Sequence, residues 1–362
     1  MTSKERMLRA LRREVPDRVP ASIHQWQDYH LKKYLGGIDA LAAFRRFGLD
    51  ASITYCPTIA PQSPDWRCAV QESRDADGNR VQHVRYITPQ GTLTTAAVAH
   101  ETTGWVTEYL VKRPEDVELL DKYEPLPRLD HDALAREYDR LGDDGIMRGF
   151  IWGHHGGCWQ HAAALYGLEH LILATHRDPA WVHHFLRLLQ KKKLRFIAES
   201  MPGAKYDLIE TGGGQGSSTC ISPKLFKEFC LPYDREQHDA LHAVGLRSVY
   251  HTCGGMMPIL ELIVENHCDA SETLTPPDMG GDARPAEMKA RIGDQVCLIG
   301  GVNQFQVLDL GTKEDVRQEV FRLFRELGPG GGYIMSPSDH FFETPVENLQ
   351  AYADAARECR YA

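Results

Sequence analysis

A histidine and a cysteine one residue apart, His251-Thr252-Cys253, stand between the run Leu246-Arg-Ser-Val-Tyr250 and Gly254-Gly255. In an extended segment residues i and i+2 point the same way, so an imidazole and a thiolate can grip one ion from one side. A soft sulfur with an imidazole suits zinc. The residues alone equally allow a buried cysteine beside a histidine bonded to backbone. Ser338-Asp339-His340 follow the last apolar run, Gly332-Tyr-Ile-Met335, where Asp339 and His340 can complete such a site. Alternatively Asp339 caps the last helix and His340 is an exposed loop residue. Glu210 precedes Thr211-Gly-Gly-Gly-Gln-Gly216, and a carboxylate there suits a displaceable ligand or a general base. His154-His155 can form a substrate wall or a proton shuttle, or divide into one buried and one solvated ring. The glycine run fits no phosphate-binding register; it lets backbone approach a ligand or makes the turn.

Positioning these groups requires a scaffold, and the rhythm of the chain suggests one. Short strands are expected at Ala21–His24, Ala51–Cys56, Ile146–Ile151, Tyr206–Glu210, Leu246–Tyr250, Ala270–Glu272, Val296–Gly300 and Gly332–Met335. Helical segments alternate with them near 178–199, 222–243, 256–266, 313–327 and 345–360, and Ser3 caps an amphipathic opening helix over 3–14. Strand-helix alternation of about eight units predicts a single α/β chain closed into a (β/α)8 TIM barrel spanning residues 1–362. Between about 66 and 112 the pattern changes to alternation, with Val81–Thr88 and Thr92–Val98 joined through Pro89-Gln-Gly91. That reads as an antiparallel hairpin region inserted over one face. In a parallel barrel the strand exits share one mouth. The exits here carry His24, His154, His155, Glu210, His251, Cys253, Glu272, Asn303 and Ser338-Asp-His340.

Composition narrows the chemistry. With 42% hydrophobic residues the chain of 362 has material for a large core, which excludes global disorder. The formal charge of −9, with both signs interspersed, offers no basic face to nucleic acid or to an anionic membrane, so a small molecule or another protein is the expected partner. There is no apolar run of about 18 residues to suggest a membrane span. The charged stretch Met1–Arg9 does not resemble a signal peptide. Nine scattered cysteines suit reduced thiols, and a cytoplasmic protein is expected.

Four segments, Ile221–Tyr233, His251–Gly255, Val296–Asn303 and Thr344–Asn348, resemble the uroporphyrinogen decarboxylase superfamily. The resemblance implies a (β/α)8 barrel and one of two chemistries. True decarboxylases carry an N-terminal Arg-Gln-Ala-Gly-Arg-type motif whose arginines hold the tetrapyrrole carboxylates. The matching stretch here, Ala21–Asp28, has no arginine. The other branch comprises zinc-dependent methyltransferases that exchange a methyl group between a corrinoid and a thiol or another acceptor, with His-x-Cys and a later Cys as ligands. His251 and Cys253 match the first two, while the later position falls on Ser338, a poor zinc ligand: either Asp339 or His340 takes its place, or the site binds metal weakly, or it does other chemistry. The implied reading is a zinc-dependent methyltransferase, O-demethylation included, with metal ligands His251, Cys253 and His340 and catalytic roles for Glu210 and Asp339. His24, His154, His155, Tyr250 and Asn303 would meet the substrate. No Asp-x-His-x-x-Gly motif is present, so the corrinoid (cobalamin) would arrive on a partner protein. Metal-free decarboxylation, metal-assisted hydrolysis or lyase chemistry, and non-catalytic binding of a corrinoid or tetrapyrrole stay open, as do the methyl donor and acceptor and a homodimer.

Overall fold

The computed structural model describes residues 1–361. Its strands are β1 (Ala51–Thr54), β2 (Thr58–Ile59), β3 (Arg67–Arg74), β4 (Arg80–Thr88), β5 (Gly91–Ala99), β6 (Gly104–Glu108), β7 (Arg128–Leu129), β8 (Gly145–Phe150), β9 (Leu208–Gly212), β10 (Ser248–His251), β11 (Ala270–Thr273), β12 (Cys297–Val302) and β13 (Tyr333–Pro337). Seven of them form one parallel sheet in the order β1-β8-β9-β10-β11-β12-β13. Sheet order follows chain order because each strand is returned to the same end by a helix before the next begins.

The ring closes between β13 and β1 through residues 20–22. Met335 N–H donates to Pro20 O and Ser22 N–H to Met335 O, both at 2.9 Å, and on the other side Asp50 N–H donates to Ala21 O at 2.8 Å. The strand expected over Ala21–His24 is therefore reduced to a bridge at Ala21. Proline at 20 supplies no N–H, and Ala21 N–H donates to the Asp50 carboxylate at 2.9 Å instead of to a strand. Asp50 is fully buried and also accepts from Arg6 (2.6 Å) and Arg18 (2.9 Å).

The opening helix, Ser3–Leu11, plugs the end of the barrel opposite the mouth. Its Met7, Ala10 and Leu11 pack with the inward residues Ile146, Leu208, Val249, Ala270 and Ile334. It is capped by Thr2, not Ser3: Thr2 Oγ1 accepts from Glu5 N–H at 3.2 Å while the Glu5 carboxylate accepts from Thr2 N–H at 2.9 Å. It stops short of residue 14 because Arg13 takes a positive φ of 61°. Outside the ring a second apolar layer packs helices such as Pro179–Ser200, Leu231–Ala243, Lys313–Leu327 and Val346–Glu358 against the outward side chains of the strands.

The alternating region forms a four-stranded antiparallel sheet, β3-β4-β5-β6, with β4 and β5 joined across Pro89-Gln90. β2 and β7 pair separately. No helix among the described residues is long and apolar enough to cross a membrane.

Candidate functional site

Strand alternation builds the site. Two residues beyond the apolar inner layer of Ile146, Leu208, Val249 and Ala270, the same strand faces carry Arg148, Glu210, His251 and Glu272. All four are buried. One guanidinium nitrogen, Arg148 Nη2, donates to Glu210 Oε2 at 2.9 Å and to Glu272 Oε1 at 2.7 Å. His251 Nδ1 stands 3.1 Å from Glu272 Oε1 and 3.5 Å from Glu210 Oε1, and its Nε2 is 2.9 Å from Cys253 Sγ. His155 Nδ1 is 2.9 Å from Glu210 Oε1, and its ring stacks on that of His251 with centroids 5.2 Å apart.

The electrostatics follow from this packing. Burial opposes the charge on Glu272, but Arg148, His24 and His251 outweigh it and hold the carboxyl well below its ordinary value. Glu210 is lowered as well, against burial, by His251, His155 and Arg148. Burial also disfavours a charged His251, yet Cys253, Glu210 and Glu272 push its pKa well above the ordinary value. It is held as an imidazolium that donates from Nδ1 to the carboxylates and from Nε2 to sulfur. A cation at Nε2 would replace that proton.

His24 lies on the same inner face, its Nδ1 3.9 Å from Glu272 Oε2 and its ring 5.3 Å from His251. Burial pushes its pKa down to about 4, so it is neutral near pH 7. Glu272 Oε2 is buried and has no hydrogen-bond partner among the described residues. Two triads bring one ligand atom from each member within 4.8 Å: His24, His251 and Glu272, and His155, Glu210 and His251. Cys253 and His340 belong to neither. The ring of His340 stands 5.4 Å from that of His24, with a buried Nδ1 that lacks a partner.

The other expected residues are placed as follows. Asp339 is 37% exposed and 3.9 Å from His340 Nε2; the last helix begins after Pro345 with no side-chain cap, so Asp339 does not cap it. Ser338 is buried and its hydroxyl donates to Leu274 O at 3.4 Å. Tyr250 does not line the mouth. It sits on the opposite face of β10 from His251, buried against Phe226 in the helix layer, as alternation requires. The Asn303 side chain caps the helical turn Gln304–Asp309 by accepting from Gln306 N–H at 2.9 Å. His154 leans toward His161, rings 5.8 Å apart, in the wall of a cavity beside His155. The glycine run brings backbone close to the site: a Cβ on Gly214 would stand 3.0 Å from Cys253 Sγ. Arg148 was not among the expected residues. Its signal is a lone charge inside the apolar run Gly145–Phe150.

Comparison with known proteins agrees with this architecture. The profile of the uroporphyrinogen decarboxylase (URO-D) family matches residues 94–359. The chain is 24% identical to a methylated-thiol–coenzyme M methyltransferase of Methanosarcina mazei, a match that covers 68% of this chain and 62% of that protein. It is 23% identical to a uroporphyrinogen decarboxylase of Nostoc punctiforme over 98% of this chain and 96% of that one. A methylcobamide:CoM methyltransferase of Methanosarcina mazei is 26% identical over 46% of this chain and 42% of that protein. The solved structure of a methyltransferase from Methanosarcina mazei superposes with a TM-score of 0.68 at 19% identity, covering 99% of both chains. That likeness fixes the fold as the TIM-barrel type.

Proposed function

The chain belongs to the uroporphyrinogen decarboxylase family, and we propose that within it this protein is a methyltransferase. It would move a methyl group between a small methylated molecule and a corrinoid carried by a partner protein, with residues 1–362 working as one barrel domain in the cytoplasm. The observation that carries this reading is the pair of contacts made by His251: Nδ1 on the Glu272 carboxylate and Nε2 facing Cys253 Sγ. A ligand imidazole in a metal site shows this polarity, one nitrogen oriented by a carboxylate and the other aimed at the ion.

The donor types of the assigned residues suit a zinc ion. His251 and Cys253 supply nitrogen and sulfur, and His340, with its unpartnered buried Nδ1, is the third ligand of choice. Zinc bound there would supply Lewis acidity toward the heteroatom that gives or takes the methyl group. The chain's own groups do the remaining work. Glu272 and Glu210 orient His251, and Arg148 keeps both carboxylates ionised. His155 and Glu210 form a proton-carrying pair at the edge of the mouth, and Asp339 orients His340. His24 lines the mouth beside them.

A decarboxylase acting on a polycarboxylate needs cationic clamps. The cavity beside His155 has no lysine or arginine in its lining, and Ala21–Asp28 has no arginine. The test is methyl transfer from methylated donors to added cobalamin, followed by visible absorption. Wild type should turn over and His251→Ala should lose more than the roughly 10–100-fold typical of removing a group that merely orients a metal ligand. Equal rates in both would sink the reading.

A further inference from the structure

The cavity beside His155 measures about 420 Å³. Its walls include Phe150, Trp152, Phe196, Cys56, His154 and His155, and no aspartate, glutamate, lysine or arginine lines it. Two of the polar groups are held uncharged. Burial pushes the Cys56 thiol up to about 11, and the Phe150 N–H donates to its sulfur at 3.1 Å. Burial also lowers His154 below its ordinary value. A charged guest would therefore give up hydration with no oppositely charged side chain lining the cavity to replace it.

Size and shape point the same way. A cavity of about 150 Å³ suffices for benzene, so this one accommodates a substituted ring. The ammonium groups of Lys192 and Lys193 stand 5.6 and 5.5 Å from the centroid of the Trp152 indole. Lys193 is itself anchored to Trp152 O at 2.6 Å. Those contacts fix one aromatic wall. His155 is the shared element: it lines the cavity, sits 2.9 Å from Glu210, and stacks on His251. A ring in the aromatic slot thus places a substituent at the edge of the mouth.

We propose that this cavity binds an uncharged aromatic molecule of one ring, flat against Trp152 and Phe196, with its reactive substituent turned toward His155. The substituent's identity as a methylated heteroatom rests on the proposed methyl transfer; the binding of the ring does not. The test is a titration of the full-length protein with methoxybenzene, phenol, benzoate and benzenesulfonate, read by calorimetry and by tryptophan fluorescence, in wild type, Trp152→Leu and Phe196→Leu. The expected result is saturable binding of methoxybenzene and phenol in preference to both anions, weakened about tenfold in at least one folded variant by loss of the ring contact. Tighter binding of either anion, no saturable binding of the neutral rings, or wild-type affinity in both variants would overturn the proposal. Binding needs neither metal nor corrinoid. A protein that binds methoxybenzene without transferring methyl refutes the methyltransferase reading alone, and one that demethylates aliphatic donors without binding rings refutes the aromatic site alone.

Discussion

Arg148 Nη2 lies 2.7 Å from Glu272 Oε1, although β8 and β11 are separated in the sheet by β9 and β10. The contact crosses the barrel interior, and the same nitrogen holds Glu210. One guanidinium therefore balances two buried carboxylates that, without it, would repel each other in a low-dielectric interior.

Arg148→Met should accordingly destabilise the protein by about 3–5 kcal/mol near pH 7, the cost of leaving buried charges unpaired. Both carboxyls are held below their ordinary values, so the stability they contribute is present above about pH 4.5 and lost as pH falls through their folded-state values. In the variant that contribution is reduced, so its deficit should narrow toward pH 4. Urea unfolding at pH 7 and pH 3.5 measures this, and an equal deficit at both would show that Arg148 acts by packing alone.

At the opposite end of the barrel, Asp50 joins the closing segment to β1 and accepts from Arg6 and Arg18. Asp50→Ala should cost about 3 kcal/mol or more, since the Arg18 guanidinium and the Ala21 N–H lose their carboxylate and Arg6 is left with Asp17 alone. Because the site lies at the far mouth, the metal content of the folded variant should equal that of wild type. Thermal unfolding together with elemental analysis separates the two effects, and loss of metal from a folded Asp50→Ala protein would count against this division.

His238 is fully buried, its ring nitrogens 2.6 Å from Ser248 Oγ and 3.2 Å from Thr211 Oγ1. Burial pushes its pKa down to about 3, whereas an unfolded histidine titrates near 6.5. The unfolded chain therefore takes up the proton first as pH falls, and stability is lost progressively from about pH 6.5 toward 3. His238→Gln removes this dependence. The stability difference between pH 7 and pH 5 should shrink by about 2 kcal/mol in the variant, and an unchanged difference would assign the acid sensitivity to other groups.

The barrel was legible from its period. The expected strands from Ala51–Cys56 to Gly332–Met335 fall within about two residues of β1 and β8 through β13, because buried parallel strands are short apolar runs between helices. The hairpin was legible from Pro89-Gln90-Gly91. The Ala21–His24 strand was overread, since its second neighbour is a side-chain carboxylate that no local pattern announces. Helices Asp28–Leu35, His131–Leu141 and Leu168–Arg177 were not among the expected segments, although Gly36, Gly142 and Gly167 mark their ends. At the site, exits of strands were easy to name, and the structure brings His24, His155, Glu210 and His251 together there. Arg148 was hidden because it sits within its strand, two residues before the strand ends. Tyr250 was misassigned because adjacency in sequence to His251 means the opposite face of a strand.

The most direct test is the metal content of the purified protein, prepared without chelator, for wild type and for Cys253→Ala shown to be folded by circular dichroism. About one zinc per chain in wild type, lost from Cys253→Ala, is the result that a His251–Cys253 metal centre predicts. No metal in either protein, or equal zinc in both, would contradict it.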